Sequence, residues 1–148
     1  MTHDHHILTL WRFMFFVLLG MFVWGGVSAA GETGLSVVNC DVQNGACTRT
    51  MGGGSVTLEI RPRPVKAMTD LTFLIKSKGL PEKALPFIDL NMLVMDMGKN
   101  RVLLKRKGQG VYQGKGVIVR CRSGIRTWSA KVTFPGVGTT EFIFDVLY

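Results

Sequence analysis

Thr127-Trp128-Ser129-Ala130-Lys131-Val132-Thr133-Phe134 alternates apolar with smaller or polar residues along its whole length. A β-strand sends successive side chains to opposite faces, so Trp128, Ala130, Val132 and Phe134 share one face and Thr127, Ser129, Lys131 and Thr133 the other. One apolar face at a period of two marks a strand half-buried against a second layer. Trp128 is therefore expected between two sheets.

The same period recurs outward from this segment. Val56, Leu58 and Ile60 alternate with Thr57, Glu59 and Arg61 until Pro62 and Pro64 end the run. Leu71, Phe73 and Ile75 follow, then residues 87–94, residues 101–105, and a turn at Gly108-Gln109-Gly110. Val117, Val119 and Cys121 share a face, as do Phe142, Phe144 and Val146. On the N-terminal side, residues 35–40 read as a strand, residues 41–46 as a loop with the turn pair Asn44-Gly45, and Gly52-Gly53-Gly54 as a flexible break. No stretch sustains a helical period, and no repeat is present. About seven strands at these spacings predict an all-β chain, an immunoglobulin-like antiparallel β-sandwich following an N-terminal signal peptide.

The signal peptide is expected over residues 1–30. Arg12 and three histidines (His3, His5, His6) precede an apolar run over 13–27, and Val27-Ser28-Ala29-Ala30 offers small residues for cleavage. The alternative is an uncleaved segment tethering the domain to the inner membrane, since the run is nearly long enough to span a bilayer. Either way residues 31–148, a single β-sandwich domain, would face an oxidising periplasmic compartment. That portion has no histidine, and its 17 basic and nine acidic residues leave a net charge of +8. The basic residues are scattered as Arg61/Arg63, Lys76/Lys78, Lys105/Arg106/Lys107 and Arg120/Arg122/Arg126, a pattern expected of solvated strand faces and loops. An exported chain of this kind is not expected to bind nucleic acid.

Three cysteines in an exported chain imply one disulfide and one odd thiol, or an intermolecular bridge. All three pairings are open. The short, turn-rich loop favours Cys40 with Cys47, although a strict two-residue turn at Asn44-Gly45 would set Cys47 opposite Val42, so the pairing requires a wider loop. Cys121 is expected to point inward as a small apolar side chain. As a thiolate it would be a strong Cu(I) ligand, and Arg120 and Arg122 favour that charged form.

Met92-Leu93-Val94-Met95-Asp96-Met97-Gly98 carries the chemistry most open to a functional reading. Thioethers are soft ligands that favour Cu(I), and they are also adaptable core fillers. In strand register, Ile88, Leu90, Met92 and Val94 take the core face, while Asp89, Asn91, Leu93, Met95 and Met97 take the other. Met95 and Met97 then form a pair ahead of Gly98, which permits a turn. Two thioethers bind weakly, so a further donor is required from Met68, Met51, Cys121 or Met92.

Together, Pro62-Arg63-Pro64-Val65-Lys66-Ala67-Met68, the methionine segment ending Met97-Gly98-Lys99-Asn100, Gly110-Val111-Tyr112-Gln113-Gly114, Val119-Arg120-Cys121-Arg122-Ser123-Gly124, Thr127-Trp128 and Phe142-Ile143-Phe144-Asp145-Val146 resemble the YtkA-like and FixH-like group of small exported β-sandwich proteins. The resemblance spans residues 55–148. It implies an immunoglobulin-like domain without enzymatic activity, associated with periplasmic copper handling or haem-copper oxidase assembly. It also implies a metal role for Met92, Met95 and Met97, with Met68 as a neighbour. The chain departs from the group at Leu93-Val94, where a proline-glycine turn is expected; this apolar pair can continue the strand.

Catalytic chemistry lacks its inventory. Without histidine after residue 30 there is no Ser/His or Cys/His dyad, no histidine zinc site and no blue-copper site. Asp89 and Asp96 are the one carboxylate pair near a candidate site, with no sign of a sugar cleft. Two expectations follow. One is a Cu(I)-handling module whose partner is Cu(I) itself or a copper-receiving membrane protein. The other is a metal-free adaptor whose basic strands or open sheet edge dock a membrane complex.

Overall fold

A computed structural model describes residues 38–96 and 98–148. The signal segment, residues 35–37 of the first expected strand, and Met97 lie outside the described residues. Within them the chain is all-β, with no helix and nine strands: β1 (Cys47–Met51), β2 (Gly54–Arg61), β3 (Leu71–Lys78), β4 (Phe87–Met92), β5 (Arg101–Leu103), β6 (Lys105–Gly108), β7 (Val111–Gly116), β8 (Thr127–Phe134) and β9 (Gly138–Asp145). They form a five-stranded sheet ordered β1-β2-β3-β7-β6 and a four-stranded sheet ordered β5-β4-β8-β9, antiparallel throughout.

The expected inner faces are the observed core. Val56, Leu58 and Ile60 of β2, Phe73 and Ile75 of β3, Ile88 and Leu90 of β4, and Trp128, Ala130 and Val132 of β8 are fully buried. Tyr112 of β7 meets Phe134 of β8 edge to face, ring centroids 5.8 Å apart, and so joins one sheet to the other. Met92 pairs with Trp128 across β4 and β8 and retains 4% exposure. The indole Nε1 of Trp128 has no hydrogen-bond partner among the described residues, so packing is what holds the ring in place.

Five expectations are corrected. Residues 38–40, the described part of the expected first strand, are not in a strand, and the first described strand begins at Cys47. There are nine strands and not about seven, because β1 is an edge strand whose Thr48, Arg49 and Thr50 are all exposed and give no apolar period. The segment carrying Val117, Val119 and Cys121 is a connector. The strand lies upstream at Val111–Gly116, with Tyr112 and Gly114 inward, and in the connector Ile118 is buried while Val117 is exposed. Residues 101–105 are not one strand but the junction of β5 and β6, with buried Leu104 between them. Leu93-Val94 does not continue β4: the chain bends from residue 93, and Val94, expected on the core face, is 67% exposed.

The junction at Leu104 lets one run of chain serve both sheets. It requires β5 to approach β7 closely, and glycine makes that possible. A Cβ at Gly114 would stand 2.5 Å from the carbonyl oxygen of Leu103 and 2.7 Å from Val102 Cγ1, and one at Gly116 would stand 2.6 Å from Val102 Cγ2.

Trp128→Ala is expected to cost about 3 to 5 kcal/mol in urea unfolding, as large-to-small core changes do. Gly114→Ala is expected to cost about 1 to 3 kcal/mol through overpacking against backbone. A loss under about 1 kcal/mol for Trp128→Ala would remove that residue from the structural centre of the sandwich.

Candidate functional site

Strand direction alternates through the fold, with β5 and β6 counting as one run, so successive connectors fall at opposite ends. Residues 62–70, 93–100 and 117–126 gather at one end and are tied there by hydrogen bonds. Met68 N–H donates to Ile118 O at 2.7 Å, and Asn100 Nδ2 donates to Val117 O at 3.2 Å. Val146 N–H donates to Arg126 O at 3.0 Å, and residues 65–67 exchange bonds with Leu147. The loop of residues 41–46 reaches the same end. Gln43 uses its side-chain amide as a peptide would, accepting from Val65 N–H at 2.7 Å and donating to Val65 O at 3.1 Å. Cys40 and Cys47 flank that loop at disulfide distance, with Cα atoms 5.5 Å apart, the wider loop that their pairing requires.

The candidate sulfur donors divide between this end and the core. Met92 belongs to the core beside Trp128. Met95 is 44% exposed, but on a bend and not in strand register, because the ladder has ended at Met92. Met97 lies outside the described residues. Met51 ends β1 at the opposite end and packs near Gly138, which separates it from the others.

Met68 is 66% exposed and is the one non-glycine residue with positive φ, at 59°, among the described residues. That conformation costs an L-residue roughly 1 to 2 kcal/mol, and packing of so exposed a side chain offsets little of it. Its backbone is held by the bond to Ile118, so the fold fixes a large thioether in a conformation where glycine or asparagine would be less strained.

Cys121 is the free thiol, 6% exposed. Its inward orientation comes from the turn of its connector, not from strand alternation. Its sulfur lies 3.0 Å from Ser123 Oγ, and hydrogen bonding from the Ser123 hydroxyl and backbone holds the thiol below its ordinary pKa against the opposing effect of burial. Tyr148 Oη donates to Ile125 O and accepts from Cys121 N–H, and the guanidinium groups of Arg120 and Arg126 lie over its ring at 5.4 and 5.7 Å.

On the outer face of β4 and β5, an open depression beside the methionine connector is lined by Asp89, Asn91, Asp96 and Lys131, among others. Arg101 binds both carboxylate oxygens of Asp89, at 2.7 and 3.0 Å, and Asp96 Oδ1 accepts from Gly98 N–H at 2.8 Å. The carboxylate pair of the sequence is thus largely committed to structural bonds. No group of three or more His, Cys, Asp or Glu side chains suited to a metal ion is present among the described residues.

Charge separates the two ends. Residues 62–70, 93–100 and 117–126 contain six basic and two acidic side chains. At the opposite end, residues 52–53, 79–86, 109–110 and 135–137 contain one of each, Lys83 and Glu82. Six of the 17 basic residues after residue 30 therefore fall on the connectors of one end, while Lys76/Lys78 and Lys105/Arg106/Lys107 occupy exposed positions of β3 and β6. Summing charge over alternate connectors would have exposed this once the strands were assigned.

Comparison with protein-family models, curated proteins and solved structures finds no match for this chain.

Thiol counting of the protein purified under oxidising conditions is expected to find one free thiol in denaturant and slow labelling of Cys121 in the native state. Two further free thiols, or a bridge through Cys121, would contradict the pairing. Ser123→Ala should move the midpoint of the pH dependence of native-state alkylation upward, since the thiolate loses the hydrogen bonds that favour it. An unchanged midpoint would show that Ser123 does not set the acidity of Cys121.

Proposed function

We propose that this chain is a periplasmic copper-handling module that carries Cu(I) as cargo on methionine sulfur, serving oxidase assembly or copper homeostasis. The reading is supported chiefly by one observation: Met68 and Met95 are exposed thioethers on separate connectors of the same end of the sandwich. Met97 is the second donor of the Met95 segment, and Cys121, on the third connector of that end, is a further soft donor. Met92, covered by the core, serves packing. Thioethers without imidazole favour Cu(I) over Cu(II) or Zn(II). The resemblance to the YtkA-like and FixH-like group points the same way and implies a domain outside the inner membrane, either released after cleavage near residue 30 or tethered by the uncleaved segment.

A metal-free adaptor that docks a membrane protein complex is the second reading. It is favoured by the edge position of β1, whose Thr48, Arg49 and Thr50 are exposed.

Titration against a competing Cu(I) chelator under reducing conditions separates the two. Changing Met95 and Met97 together to Leu keeps volume and removes sulfur, so Cu(I) binding should be lost while unfolding free energy changes by less than about 1.5 kcal/mol. Met68→Leu should weaken binding, and Met92→Leu should leave it close to wild type. Equal affinities in wild type and the Met95/Met97 double variant would end the copper reading for these residues and favour the adaptor.

A further inference from the structure

We infer that the connector end of the sandwich docks on an anionic lipid surface, with its apolar tips entering the headgroup region and its basic side chains on lipid phosphates. This inference is independent of copper binding. Of the eight large apolar side chains exposed among the described residues, five belong to this end: Met68, Val94, Met95, Val117 and Leu147. They arise from four separate segments. Isolated apolar tips on separate loops match the boundary between headgroups and acyl chains better than they match a partner protein, whose interface needs one closely packed apolar patch.

The charge around the tips has the matching sign. Arg63, Lys66, Lys99, Arg120, Arg122 and Arg126 are all exposed. Arg63 shares Glu59 with Arg61, and the other five make no ion pair among the described residues. Against them stand Asp70, Asp96 and, on the loop of residues 41–46, Asp41, giving the connectors of this end a net +3 where the opposite set is neutral. The molecule is thus polarised, with its apolar tips at the basic end. An anionic bilayer attracts basic residues near its surface, each worth about fivefold in occupancy. The strained backbone of Met68 is explained in the same terms, because it presents a flexible apolar side chain outward at this end.

The test is methionine oxidation of the full chain, followed by mass spectrometry. The chain is mixed with vesicles of phosphatidylcholine alone or of phosphatidylcholine with phosphatidylglycerol, and a Cu(I) chelator is present so that metal cannot protect the thioethers. Oxidation of Met68 and Met95 should slow on the anionic vesicles only, and high salt should restore it. Changing Arg120, Arg122 and Arg126 together to Gln should reduce occupancy of the anionic surface by roughly a hundredfold and restore the oxidation rate. The same change should leave the Cys40/Cys47 pair and the circular dichroism of the sheets intact. A variant at the neutral end, Leu85→Asp, should retain protection. Equal rates on the two vesicle types, or protection that survives the triple substitution in the folded variant, would overturn the inference and leave an acidic protein partner as the occupant.

Discussion

The close approach of residues 101–104 to the glycines of β7 is the constraint on which the rest of the architecture depends. A single run of chain pairs first with β4 and then with β7, changing sheets at Leu104. It can do so only because Gly114 and Gly116 present no side chain to Val102 and Leu103. Closing that border sets one sheet on the other, and the bond from Asn100 to Val117 then brings the methionine connector beside the connector of Cys121. Segments that belong to different sheets become parts of one surface. The second border is approached by β1 and β9, so the two layers come near each other along both long edges.

What the chain declares of its fold is its inner faces. Trp128 to Phe134 and Ile88 to Met92 are readable because burial demands apolar residues at every second position, and that demand is met without exception. β1 is silent because an edge strand with both faces wet needs no period. The strand at Val111–Gly116 is concealed for a different reason. Two of its positions facing β5 are glycines, chosen for clearance and devoid of hydropathy, so the apparent alternation shifts downstream into Val117, Val119 and Cys121, where the chain is already a connector. Leu93-Val94 misleads because β-propensity acts only where a partner exists. β5 reaches no further than Asp89 along β4, and past Met92 the other ladder has ended as well.

The candidate site was legible as a list of residue types and much less as a place. Soft donors at Met68, Met95 and Cys121 stand out because no histidine follows residue 30, but nothing local separates Met95 on a bend from Met92 beside Trp128 except the residue at which pairing stops. Charge was the most misleading quantity. Arg63 and Arg122 are far apart in sequence, and their placement on connectors of one end is a property of strand order. A count made along the chain averages two unlike sets of connectors into one moderately basic protein, whereas the sandwich places six basic residues on the connectors of one end and one on those of the other.

The bonds that complete the connector end join the two extremes of the described chain. Asn39 exchanges hydrogen bonds with Ile143, 104 residues away, and Gln43 reaches Asp145 O across 102. Closure over such separations is entropically costly and comes late in folding. Hairpins such as β2–β3 and β8–β9 need only their neighbours and can form as soon as both strands are available. The clamp of residues 39–43 cannot close until β9 is in place. In vectorial synthesis or translocation the surface carrying Met68, Met95 and Cys121 is therefore the last part of the domain to be finished, and a chain halted before residue 143 would hold most of its sheets without it.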